Sequence, residues 1–181
     1  MPEVLILTGP PGAGKTTVAQ ALAERYDRVA HIQVDVLRHF ITPTGFVSAG
    51  RPGFERQARL GVRNACAIAL NFLAERIAVI VDDVVVSADD LAAYVEALRP
   101  GGVPVHYVRL LPSLDACLRR NLQRKADRVR PERVEEVWRA FESAGAHAGA
   151  TIDSSDLTPY ETADRLQALT TSGASIVWRP A

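Results

Sequence analysis

The segment Gly9-Pro10-Pro11-Gly12-Ala13-Gly14-Lys15-Thr16 constrains this chain more than any other. It follows the apolar run VLILT directly and opens into TTVAQALAERY. An unbroken apolar run of that length reads as a strand covered on both faces, and the periodic stretch behind Lys15 reads as a helix. Glycines in the connection let successive backbone N–H groups curl round an anion, and the following helix directs its positive end at the same point. The pattern G-x-x-x-x-G-K-T is a phosphate loop when a strand precedes it and a helix follows, as both do here. Gly9, Pro10, Pro11, Gly12, Ala13, Gly14, Lys15, Thr16 and Thr17 are therefore the expected contacts of a nucleoside triphosphate, taken as ATP. Lys15 would reach the β- and γ-phosphates, and the Thr16 hydroxyl would ligate Mg²⁺.

The rest of the chain keeps alternating. Further strands are expected at residues 30–34, 77–82, 103–110 and 150–153, and helices near 15–26, 54–75, 88–98, 114–124, 131–144 and 159–170. This alternation predicts an α/β fold of three layers, a parallel sheet with helices on both faces. Ser87, Ser113 and Thr158, the last followed by Pro159 and Glu161, mark helix starts. Residues 42–52, rich in Gly, Pro and Ser, predict a loop. The whole chain, 1–181, is expected to form one domain, as a monomer or homodimer. Lys+Arg and Asp+Glu are equal at 21 each, which speaks against a broad nucleic-acid footprint while leaving a local basic groove open. No apolar run approaches the ~20 residues of a membrane span, and no basic segment precedes the first apolar run, so a cytoplasmic protein is expected. Cys66 and Cys117 stand among apolar neighbours and read as buried small side chains rather than a disulfide or metal pair. The tail 175–181 is apolar enough to pack, at a place the sequence does not specify.

Ligands collect at the carboxyl ends of strands in open parallel sheets, so acids there share a rim with the phosphate loop. Asp35, in Val34-Asp35-Val36-Leu37-Arg38, could accept the proton of an attacking hydroxyl; a helix cap is its alternative. Arg38, one turn on, could hold an acceptor's anionic group or the transferring phosphoryl, or lie on the surface. Val81-Asp82-Asp83 has the apolar-then-acid form that holds Mg²⁺. Asp82, first after the apolar run, is the expected ligand, with Asp83 facing the acceptor or solvated. No glutamate follows Asp82, which favours transfer to a substrate over hydrolysis. The stretch LRRNLQRKADRVRPERV puts Arg120 and Arg124 on one helix face, with Arg128 and Arg130 in the loop beyond. Those cations suit a lid over residues 120–133 that closes on the γ-phosphoryl oxygens and excludes water. A solvated basic face balanced by Glu132, Glu135 and Glu136 is the other reading.

The ordered set GPPGAGKTT, VDVLR, VIVDD, LRRNLQRKADR and TIDSSDLTPYETA resembles the small phosphate-loop kinases of the nucleoside-monophosphate-kinase-like group. Within it the chain is most similar to the chloramphenicol phosphotransferase and zeta-toxin branch, which also goes by an AAA-type ATPase label. Phage polynucleotide kinase belongs there too, and gluconate and shikimate kinases lie further off. The resemblance covers most of the chain and is weak between residues 40 and 75. It implies a five-stranded parallel sheet ordered 2-3-1-4-5 with a short helical lid. It also implies that Asp35 is the base, Arg38 an acceptor contact, and Arg120 and Arg124 lid arginines near adenine and phosphates. The loop after Asp153 would lie beside the adenine.

The acceptor is expected over residues 39–63. Arg56, Arg59 and Arg63 share one helix face, as anion contacts or as a solvated stripe, and His39, Phe40, Phe46 and Phe54 suit a partly apolar wall or core packing. His31, His106 and His147 lack metal-ligand spacing and are given no chemistry. The leading expectation is an ATP-dependent kinase for a small molecule with a free hydroxyl. A polynucleotide 5′-end kinase and an acceptor-independent ATPase or nucleotide switch are the alternatives.

Overall fold

The computed structural model describes residues 3–180 except 43, 44, 46, 48, 49, 125–127 and 147. Its strands are β1 (Val4–Thr8), β2 (Val29–Gln33), β3 (Ala78–Asp83), β4 (Val105–Leu110), β5 (Ala150–Ile152) and β6 (Ile176–Trp178). Its helices are α1 (Lys15–Ala23), α2 (Val34–Arg38), α3 (Phe54–Ala74), α4 (Ala88–Leu98), α5 (Leu114–Leu122), α6 (Pro131–Ala144) and α7 (Pro159–Ser172).

Strand order is β2-β3-β1-β4-β5, all parallel. Every residue of β1, β3 and β4 is buried, which is why these runs carry apolar residues on both faces rather than alternating. Val4, Ile6, Val79, Val81, Val105 and Tyr107 pack on one face with Ala65, Leu73 and Leu98 of α3 and α4. Leu5, Leu7, Ile80, Val108, Leu110 and Ile152 pack on the other with Val18, Leu22 and Leu166 of α1 and α7. Alternate residues thus feed two separate cores. At about 25 cal/mol per Å² of apolar surface, this double burial is the main force holding the sheet.

Local signals fix the helix starts. Ser87 with Asp90, and Thr158 with Glu161, form reciprocal capping boxes on α4 and α7, and the Ser113 hydroxyl accepts from the Ala116 N–H at the start of α5. In contrast, α1 begins after Gly14, at φ 94, with no side-chain cap. A helix start without a side-chain cap leaves its first N–H groups for another acceptor, as an anion site requires.

Two elements depart from the expectation. β2 ends at Gln33, and residues 34–38 coil into α2, which carries Asp35 and Arg38 one turn apart. The tail adds β6, antiparallel to β4 through Val105 and His106. β5 pairs with residues 108–110 of β4 alone, so the sheet gains a sixth strand along the part of that edge left uncovered.

Candidate active site

The phosphate loop is held by close backbone packing. Gly12 has φ +83, and a Cβ there would lie 2.2 Å from the Cys117 carbonyl oxygen of α5. A Cβ on Gly9 would lie 2.3 Å from the Leu110 carbonyl oxygen. No side chain fits either position, so glycine lets the loop sit flush against β4 and α5. The Lys15 ammonium curls back into the loop and donates to the carbonyls of Gly9 at 2.9 Å and Pro10 at 3.4 Å.

Register brings the acids to this loop. Parallel pairing sets Leu7 beside Asp82 and Thr8 beside Asp83, at the ends of their strands. The Thr16 hydroxyl donates to Asp82 Oδ2 at 2.6 Å. His31 Nε2, on neighbouring β2, stands 3.6 Å from the same oxygen, close enough for an ion pair but too far for a good hydrogen bond. Burial pushes the Asp82 carboxyl up, but His31, Lys15 and Thr16 together outweigh it and hold the group below the usual carboxylate range. A hydroxyl and a charged carboxylate in contact form a hard-oxygen pair of the kind that would suit Mg²⁺. Among the described residues no cluster of three or more His, Cys, Asp or Glu could hold a metal by itself.

Asp83 does something different. Arg38 grips it with both nitrogens, at 2.7 and 3.0 Å, and the Tyr94 hydroxyl of α4 donates to it at 2.6 Å. Burial disfavours the Arg38 charge, yet Asp83 more than compensates and raises its pKa. Burial and the same carboxylate drive the Tyr94 hydroxyl far up. Arg38 also reaches Asp35 Oδ1 at 3.4 Å, whereas the Asp35 side chain is 79% exposed. The His39 Nδ1 lies 2.7 Å from the Asp35 carbonyl and donates to it.

Two cavities open on this rim. The larger, about 920 Å³, is lined by Lys15, Thr16, Thr17, Asp82 and Asp83 on one side, by Gln33, Asp35, Val36, His39, Phe40 and Val84 on another, and by Arg124, Arg128 and Val129 from the lid segment. The smaller, about 310 Å³, lies between Gly12, Val18, Arg120, Arg124, Ser154, Leu157 and Pro159. Arg120 donates to the carbonyls of Ser154 at 2.6 Å, Ser155 at 3.2 Å and Ala13 at 3.4 Å, joining the loop after β5 to the phosphate loop.

The expected residues therefore separate. Lys15, Thr16, Thr17, Asp35, His39, Asp82, Asp83, Arg124 and Arg128 share the larger cavity, and Gly12, Ala13, Gly14 and Arg120 line the smaller. Arg38, expected as an acceptor contact, does not line either cavity; its guanidinium is turned into Asp83. Asp83 borders the larger cavity, but its carboxylate is 2% exposed and taken up by Arg38 and Tyr94. Arg56, exposed on α3, and Arg130, exposed before α6, line neither cavity. Asp153 also stays outside, its carboxylate bound to the Ser155 N–H and hydroxyl and held low by them. Phe46, His147 and lid residues 125–127 lie outside the described residues.

Sequence reasoning gave His31 no chemistry, yet from the adjacent strand it stands 3.6 Å from Asp82. The same reasoning overlooked Asn121, whose buried amide holds the Val129 backbone by two hydrogen bonds, at 2.7 and 3.1 Å, and so ties the segment before α6 to α5. Neither has a spacing signal, because both act through partners on other segments.

An open parallel sheet with a glycine loop, a lysine and a Thr–Asp pair at one rim defines a phosphate-loop nucleotide-binding protein with the fold of the small phosphate-loop kinases. A family model described as an AAA domain matches residues 4–146, and the chain belongs to that family. No curated protein matches it in sequence. Among solved structures, a sugar kinase from Janibacter sp. HTCC2649 is similar at 14% identity and TM-score 0.74, covering 94% of this chain and 95% of that one. APS kinase from Mycobacterium tuberculosis, in complex with AMPPNP and APS, is similar at 18% identity and TM-score 0.66, covering 94% and 98%. A chain of the Pnkp1/Rnl/Hen1 RNA repair complex matches 79% of this chain at 19% identity and TM-score 0.64, and this chain spans 45% of its length. At such identities the likeness is one of fold.

Proposed function

We propose that the chain is an ATP-dependent phosphotransferase that moves the γ-phosphoryl group to a hydroxyl of a small molecule, such as a metabolite, nucleotide sugar or antibiotic. One observation carries the reading: an exposed carboxylate, Asp35, shares a cavity with Lys15 and Thr16 of the phosphate loop. Hydrolysis needs a polarised water, whereas a base set on the wall opposite the phosphates suits a bound hydroxyl.

In this reading the adenine lies in the smaller cavity, between Leu157, Pro159 and Arg120, and the triphosphate lies along residues 9–16. Lys15 leaves its loop carbonyls for the β- and γ-phosphates. Thr16 and Asp82 would hold Mg²⁺, which neutralises phosphate charge when bound. Asp35 takes the proton of the acceptor hydroxyl as its oxygen bonds to the γ-phosphorus and the bond to the β–γ bridging oxygen breaks, giving ADP and a phosphate ester. Arg124 and Arg128 face the phosphoryl oxygens as charge spreads over them, and Val129 helps exclude water.

The test is transfer of label from γ-labelled ATP into a panel of hydroxyl compounds that includes oligonucleotides with free 5′ ends. Asp35→Asn is expected to lower kcat by about 10²–10⁴-fold with nucleotide affinity kept, and Lys15→Ala to remove both. Transfer unimpaired in Asp35→Asn, or fast hydrolysis with no acceptor, would overturn the assignment.

A further inference from the structure

We infer that the acceptor is an uncharged or cationic hydroxyl compound with an apolar portion, and that the site discriminates against carboxylate and phosphate acceptors. This rests on the kinase reading and narrows its substrate class, leaving out nucleotide sugars, whose diphosphate is anionic.

The acceptor side of the larger cavity is formed by Gln33, Asp35, Val36, His39, Phe40 and Val84. Its lysine and arginines, Lys15, Arg124 and Arg128, come from the phosphate loop and the lid segment, where the triphosphate needs them. Arg38 is the arginine best placed on α2 to meet an acceptor anion, and it is spent internally. Its side chain is 11% exposed, with both terminal nitrogens on Asp83 and one also near Asp35. Swinging it to an acceptor would strip the countercharge from a carboxylate that is 2% exposed, a strongly unfavourable exchange.

Among the described residues the neighbouring segments supply no substitute, and Arg51 is exposed and lines neither cavity. The stretch ITPTGFVSAG at residues 41–50 contains no charged residue. Arg56, Arg59 and Arg63 are exposed on α3 and line neither cavity. What the acceptor side does present is an exposed carboxylate, Asp35, beside two large apolar side chains left open, Phe40 at 72% and Val36 at 50% exposure. A fixed negative charge repels an anion and attracts an amine, and exposed apolar side chains at a cavity mouth favour a ligand that covers them. Gln33 and His39 add hydrogen-bonding groups without a second carboxylate.

The experiment measures binding by calorimetry to the protein loaded with Mg²⁺ and AMPPNP, independently of transfer. The probes are two scaffolds in three charge forms: phenyl glucoside, its 6-amino analogue and phenyl glucuronide; and uridine, its 5′-amino analogue and uridine 5′-monophosphate. The neutral and amine forms of at least one scaffold are expected to bind tenfold or more tightly than the anionic form. Phe40→Ser should weaken them severalfold with thermal stability unchanged, since Phe40 is exposed. Equal or tighter binding of the anionic form, or no binding by any neutral or amine form, would overturn the inference. Binding in the expected order with no transfer from ATP would instead refute the kinase reading. Transfer to the anionic forms in preference would refute this inference and leave that reading standing.

Discussion

At Asp83 a single buried carboxylate meets three donors, two from Arg38 and one from Tyr94. Such a group is costly to strand, because removing one partner leaves a charge in a place water cannot reach. Arg38→Ala is expected to destabilise the fold by about 3–5 kcal/mol, and the double change Arg38→Ala with Asp83→Asn to recover much of that. Urea unfolding of the two variants checks it; equal stabilities would mean that the pair carries no net charge burial. One residue away, Asp82 bonds Thr16 and keeps its charge through the combined pull of His31, Lys15 and Thr16. Adjacent aspartates thus differ because successive β3 residues point to opposite faces of the sheet. Their order in the sequence favoured Asp82 for the metal, but it could not reveal that Asp83 serves Arg38, 45 residues earlier.

At the scale of elements, the seam between β4 and β6 shows how the tail is held. His106 Nδ1 lies 2.9 Å from the Ser175 hydroxyl, and Nε2 lies 3.5 Å from Glu3, which also accepts from the Tyr26 hydroxyl. His106, chiefly, lowers the Glu3 carboxyl against the opposing effect of burial. A carboxyl lowered on folding stabilises the native state above its unfolded value of 4.5, and the contribution is lost as pH falls through the lower folded value. Glu3→Gln is therefore expected to cost about 1 kcal/mol at neutral pH, and less as pH drops below 4.5. Melting temperatures across acidic and neutral buffers read this directly. A gap that widens in acid would reverse the assignment. The caps at Ser87, Ser113 and Thr158 were legible beforehand because they use residues three positions apart. β6 was not, since three residues make a strand only when a partner edge is free.

For the whole molecule, the site is a meeting of segments. The phosphate loop, α2, the end of β3, the lid segment and the loop after β5 contribute to two adjoining cavities. A ligand that bridges them binds the native state alone, so Mg²⁺–AMPPNP at about 100-fold over its Kd is expected to add about 2.7 kcal/mol of stability. Lys15→Ala should abolish that gain in thermal melts. The two thiols offer a second readout, because burial pushes Cys66 up to about 12 and Cys117 up to about 11. Both should resist alkylation until the chain opens, with nucleotide slowing the reaction further.

The sequence by itself determined what periodicity and short spacing encode: the phosphate loop with Lys15 and Thr16, the strand–helix alternation, three helix caps, and the acids at strand ends. These depend on neighbours a few residues away, so the chain carries them openly. Only the tertiary structure decided what depends on partners distant along the chain. It turned Arg38 inward to Asp83, brought His31 to Asp82, tied Val129 to Asn121, gave the tail an edge of β4, and left Arg56 outside the cavities. The loop read at the outset as a phosphate cradle keeps that reading, and Gly9 and Gly12 prove to be required by the Leu110 and Cys117 carbonyls packed against them. Backbones approach that closely only once the sheet and α5 are assembled, a physical condition that no local pattern records.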